Sequence, residues 1–309
     1  MSSKTDEMVN RSTKRRKNIQ EMMSKTSNRK IYVNKLVTIL TICCVIFAII
    51  PLVSILFEVF KNGYSAIDFE FLTQKPGSIG SNKGGIGPAI QGTLIVVGLG
   101  SLIAVPVGVL TGIYLSEYAN SNSKFAFAVR FFNDVLTGLP SIIVGIVGYV
   151  LIVLSIGSFS VIAGAFSLSL IMIPLVTRIT EETLKIVPNS IREGAHSLGI
   201  PKWKITLFIV IKTAISGVLT GIVLSIARIA GETAPLIMTI LGTSLFFSSF
   251  TGPVDALPLR IWRLASQPYE SAHANGWGAA LILILMILGL NISLRLISQR
   301  KGMGSSKNI

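Results

Sequence analysis

The sequence predicts an all-α integral membrane protein with six transmembrane helices, and three observations carry that prediction. Half of its 309 residues are apolar and only 14% are charged, against about 25% charged in soluble domains. Several uncharged runs reach the ~20 residues that a helix needs to cross ~30 Å of hydrocarbon. The charges gather in tails and loops: residues 1–35 hold ten Lys/Arg against three Asp/Glu, and residues 295–309 hold four basic residues and no acid. A net charge of +14 would suit a nucleic-acid surface, but here it flanks apolar spans, so no nucleic-acid partner is expected.

The first span reads as Leu36 to Phe60, whose only charge is Glu58. Its apolar run is too long for a cleaved signal peptide and follows a 35-residue polar segment, so it reads as a retained anchor. Residues 61–87 are polar and glycine-rich (Gly77, Gly80, Gly84, Gly85, Gly87), which suits a loop. Ala89 to Ser116 is again uncharged, and Gly92, Gly98, Gly100, Gly108 and Gly112 give this second span small faces for close packing. Between Asp134 and Arg178 lie 43 uncharged residues. As one straight helix they would extend ~65 Å, twice the bilayer core, so two spans are expected, divided near Gly157 and Ser158. A fifth runs from near Thr213 through Arg228 and Glu232 to about Pro235, and a sixth from about Asn275 to Leu294. A seventh over Thr233–Val254 is discounted, because Ser248, Ser249, Gly252 and Pro253 break it.

Six spans put both tails on one side with residues 117–130 and 178–212, giving that side 22 Lys/Arg against five on the other. The positive-inside rule makes the first side cytoplasmic. The chain then divides into a basic tail (1–35) that reads as disordered, a membrane domain (36–298) containing the long cytoplasmic loop 178–212, and a C-terminal tail (299–309). Cys43 and Cys44 are adjacent in an apolar run, and His196 and His273 are the only histidines. Neither a disulfide framework nor a metal site is expected.

The long loop carries a delimited helix. Ser190 and Glu193 have capping-box spacing, Gly199 suits a left-handed C-terminal cap, and Pro201 prevents continuation. Ile191, Ala195 and Leu198 share a stripe. An interfacial connector would look the same. Yet Glu193-Gly194-Ala195, three residues, then Gly199 resembles the EAA loop of ABC-importer permeases, with Gly194 in place of the central alanine. That family's downstream Ile-x-Leu-Pro departs further, reading Ile209-Val210-Ile211-Lys212.

Arg228 and Glu232 lie inside the fifth span. A mid-membrane Arg costs ~2.5–3.5 kcal/mol on insertion scales and usually faces a bundle interior or a pathway. Spacing of i, i+4 puts the two side chains on one helical face, where they can pair. Such a pair either joins helices or offers the guanidinium to a passing oxyanion, whose edges match its planar fork. Arg178, at the end of the fourth span, reads as a positive-inside anchor.

Longer segments bear a closer resemblance. Ile226-Ala-Arg-Ile-Ala-Gly-Glu-Thr-Ala-Pro-Leu236 is similar to the fifth-helix motif of the PstA family of phosphate ABC-transporter permeases. So are Gly84 to Leu94, Val176 to Glu182, and Arg192 to Trp203, and the likeness extends over about residues 80–298. The resemblance implies a type I ABC importer permease fold in a prokaryotic plasma membrane. It implies high-affinity import of inorganic phosphate, with Arg178, Arg228 and Glu232 along the substrate pathway. It places Glu193, Gly194, Ala195 and Gly199 at the ATPase contact. Its implied partners are a homologous PstC-like permease, two PstB-like ATPases that bind ATP and Mg, and a PstS-like phosphate-binding protein. The chain has no Gly-x-x-x-x-Gly-Lys-Ser/Thr phosphate loop of its own, so a non-enzymatic transport subunit is expected. Sulfate, molybdate or phosphonate permeases share the EAA loop and remain alternatives, as, more remotely, does an ion-coupled transporter. A membrane-embedded enzyme lacks a base placed to activate a nucleophile.

Overall fold

A computed structural model describes the backbone of residues 2–77, 84–120 and 122–305, and the side chains of 30–77, 84–120, 122–293 and 296. The N-terminal tail before residue 30 and the C-terminal tail 299–309 therefore lie outside the described side chains. Residues 78–83, within the glycine-rich loop, lie outside the description altogether. The chain forms two units, Met1–Glu58 and Val59–Ile309. Helix α1 (Ser2–Gly63) supplies the first, and its stretch from residue 36 is apolar on all sides, as suits a helix surrounded by lipid.

In the second unit, α2 (Phe69–Thr73) is capped by Asp68, which accepts from the Phe71 N–H at 2.5 Å. The spans are α3 (Gly87–Tyr118), α6 (Val161–Lys185), α8 (Lys202–Ala230) and the Glu270–Ser293 part of α11 (Glu270–Ser305). With α1 they make, among the described residues, five helices long and apolar enough to cross a membrane. The sixth apolar segment is a bent pair, α4 (Lys124–Gly138) and α5 (Ser141–Ile156), meeting at 105°. This corrects the expectation of a loop over 117–130 and a straight third span. Ser123 caps α4, and Pro140, which cannot continue a helix, ends it. The predicted division near Gly157 is where α5 ends, with Gly157 at φ +78°.

The fifth span also differs. Its helix starts at Lys202, eleven residues before Thr213, and ends at Ala230. Pro235 has no N–H for an i−4 carbonyl, so the chain breaks over Gly231–Thr233 and restarts as α9 (Ala234–Thr239), with Pro235 in its first turn. Among the described residues, no span-length helix occupies 233–254.

The most extensive seam among the described residues joins α3 to α6. A Cβ on Gly108 would stand 2.7 Å from the Val176 Cβ, and one on Gly112 would stand 2.6 Å from that of Thr180. The two helices therefore run parallel at close approach, as small residues permit. Helix α8 runs antiparallel to α6, with Gly221 against Ile179 and Gly217 against Thr183. Val96, Leu168, Met172, Ile229 and Leu236 fill the core between them.

Residues 240–256 fold over the end of the bundle where α6 begins. The first N–H groups of a helix have no partner within it; here those of Ser160, Val161 and Ile162 donate to the carbonyls of Thr239, Gly252 and Phe250, and Ser160 Oγ accepts from Ala163. Arg260 on α10 (Leu257–Ala265) holds the buried Asp255 and donates to the Thr243 carbonyl, tying the cap down.

Candidate functional site

At the other end of the bundle, α7 (Asn189–Ser197) fills the short connection between α6 and α8. It starts after Pro188 with no side-chain cap, so the Ser190–Glu193 capping box does not form. The helix begins two residues too early for Ser190 to sit outside it, and Asn189 Oδ1 instead accepts from Arg192. Its C-terminus follows the expectation. Gly199 sits at φ +72°, its N–H donates to the His196 carbonyl, and the Ile200 N–H donates to that of Ala195. These two bonds form a Schellman motif. Glu193 and Gly194 are exposed, and nothing lies within 4 Å of a Cβ on Gly194, so the alanine of the EAA pattern would fit there. Ala195 alone of α7 is buried.

Arg178 lies on α6, exposed, with its Nε donating to Glu182 Oε1 at 3.0 Å. Asp134 of α4 and Glu181 also act on it electrostatically. Arg228 is in the last turn of α8, also exposed. Glu232 lies past the helix end, half-buried in the break. Among the described residues no ion pair joins Arg228 to Glu232, which corrects the expected pairing: the i, i+4 rule needs a continuous helix, and this one ends at Ala230. The pairs that do form one turn apart are both on α6, Arg178–Glu182 and Glu181–Lys185.

The two arginines occupy neighbouring antiparallel helices at different depths. Since Gly221 faces Ile179, Arg228 is six residues deeper than Arg178, about 9 Å at 1.5 Å per residue. An exposed guanidinium within a span has to face a partner helix or water rather than lipid.

Four further residues escaped sequence reading. Arg192 of α7 donates to both carboxylate oxygens of Glu117 at the end of α3, at 2.7 and 3.1 Å. Arg130 of α4 donates to Glu181 of α6 and to the Leu115 carbonyl of α3. The partners are 75 and 51 residues apart, so no local pattern links them; the one available signal was a charge at the very end of an apolar span.

Comparison with known proteins places this geometry. The model of the family described as "Binding-protein-dependent transport system inner membrane component" matches residues 104–302. The Phosphate transport system permease protein PstA of Haemophilus influenzae is 41% identical over 268 residues, which are 87% of this chain and 94% of that protein. The probable PstA of Methanocaldococcus jannaschii is 36% identical, over 81% of this chain and 88% of its own length. Among solved structures, a chain of a bacterial alginate ABC transporter superposes with a TM-score of 0.65 at 16% identity, covering 89% of this chain and 97% of that one. A chain of the inward-facing MetNI methionine ABC transporter gives 0.56 at 16% identity, covering 70% and 94%. These two likenesses concern the fold.

Proposed function

Because the chain belongs to the binding-protein-dependent inner membrane components, and within them to the PstA phosphate permeases, we propose that it forms half of the translocation pathway of an ATP-driven inorganic phosphate importer. It is a multi-pass membrane transport subunit. The observation that carries the pathway is the pair of exposed arginines, Arg178 and Arg228, at two depths of adjacent spans. A guanidinium offers paired donors to phosphate oxygens, and two sites in series let the anion move on without being trapped at one. Glu232, half-buried in the break after Arg228, is the third residue along this path.

By the positive-inside rule the α7 end faces the cytoplasm, with both termini there. A PstC-like permease covers the exposed faces of α6 and α8, and a PstS-like protein delivers phosphate at the opposite end. Two PstB-like subunits bind ATP and Mg below the membrane, one of them on the exposed Glu193–Gly199 surface. ATP binding closes that dimer, moves α7 and opens the pathway outward; hydrolysis returns it inward. The test of the substrate is uptake by reconstituted complex with excess competitor: sulfate and molybdate leave phosphate uptake unchanged. Accumulation of another oxyanion in place of phosphate would keep the permease and overturn its substrate.

A further inference from the structure

Helix α7 presents most of its surface to solvent, and Ala195 is its one buried side chain. A nine-residue helix seated by a single methyl has little apolar contact to fix its orientation. The fixing comes from Arg192, whose N–H groups reach α3, the end of α6 and the α6–α7 connection, with one further contact inside α7. Nε and Nη2 grip Glu117 at 3.1 and 2.7 Å, Nη2 also donates to the Leu184 carbonyl at 2.9 Å, and Nη1 donates to the Val187 carbonyl and to Asn189 Oδ1. The side chain of Glu117 is 5% exposed and that of Arg192 19%, so this fork is largely shielded from water.

Two of the acceptors lie on helices other than α7, while Val187 lies in the α6–α7 connection and Asn189 in α7 itself. Glu117 ends α3, while Leu184 lies in the last turn of α6, six residues after Arg178, about 9 Å along the same helix. Those two helices share the most extensive seam among the described residues, so their ends move as one body. Arg130 fastens α4 to the same two ends through Leu115 and Glu181. Helix α4 in turn carries Asp134, which acts on Arg178.

We infer that Arg192, with Glu117 as its counter-ion, is the positioning residue that passes displacement of α7 to the arginine-bearing helix α6. This rests on the reading that an ATPase docks on α7. A charge-assisted bidentate fork resists both shear and rotation, whereas lysine would keep the charge and lose the fork.

The test uses the whole reconstituted complex carrying Arg192→Lys or Glu117→Gln, with three readings: co-purification of the ATPase, ATP hydrolysed, and phosphate accumulated. In both variants the ATPase should still co-purify and hydrolyse ATP, while ATP consumed per phosphate rises about tenfold, within the roughly 5–150-fold range typical of coupling between sites. The double variant should be no worse than either single one. Loss of the ATPase from the complex, a proportional fall of hydrolysis and uptake, or an unchanged ratio would each overturn the inference. A wild-type complex without ATP-dependent uptake would instead strike the underlying reading, and the wild-type control reports that separately.

Discussion

Replacing Gly112 by alanine probes the seam between α3 and α6. The new Cβ would meet the Thr180 Cβ at 2.6 Å, the Thr177 carbonyl oxygen at 2.8 Å and the Thr180 Cγ2 at 2.9 Å. Carbon pairs prefer about 3.5–4.0 Å, so the helices must part by roughly 1 Å, and the Thr177 carbonyl cannot turn away from its own helix. Overpacking of this kind costs about 1–3 kcal/mol. Alanine also favours the helix over glycine by up to about 1 kcal/mol, which would mask part of the loss. Gly98→Ala on the same helix isolates the packing effect, since nothing lies within 4 Å of a Cβ there. The difference between the two variants should therefore be the full overpacking cost. At ~2–4 °C per kcal/mol for a domain of this size, Gly112→Ala should melt about 2–12 °C below Gly98→Ala in detergent. Equal melting temperatures, or a more stable Gly112→Ala, would refute the close approach of the two helices.

Gly199→Ala should weaken α7 by about 1–2 kcal/mol through its left-handed φ, without a steric clash, and appear as poorer ATPase retention in pull-downs. Gly194→Ala, in open space, should retain it fully. Asp255 is pushed above the ordinary 3.8 chiefly by burial, against the pull of Arg260. The folded state then holds more protons than the unfolded one, so stability falls as pH rises from about 3.8 through the raised value. The melting temperature of wild type minus that of Asp255→Asn should accordingly fall with pH over that window; a difference that rises with pH would reverse the sign.

What could be read in the sequence were features set by local composition. The apolar runs marked the spans, and Gly157 and Gly199 marked a turn and a helix end because each position needs positive φ. What could not be read depends on contacts between distant segments. Residues 117–130 looked like a loop because Glu117, Lys124 and Arg130 interrupt them, yet from Lys124 the chain forms an amphipathic helix anchored by Arg130 on Glu181. Arg192 appeared as one polar residue on a short helix, and Glu117 as the end of a span; only the fold joins them. The Arg228–Glu232 spacing misled because periodicity was carried past Ala230, while Gly231 and Pro235 already signalled a break.

The central claim is that exposed arginines within the spans carry the anion. Its most direct test is ATP-driven phosphate uptake into vesicles holding the complete complex, wild type against Arg228→Gln. Arg228 has no ion-pair partner among the described residues, so its loss should leave the complex assembled and abolish uptake. Undiminished uptake in the assembled variant would contradict the claim and leave Arg228 outside the path of the anion.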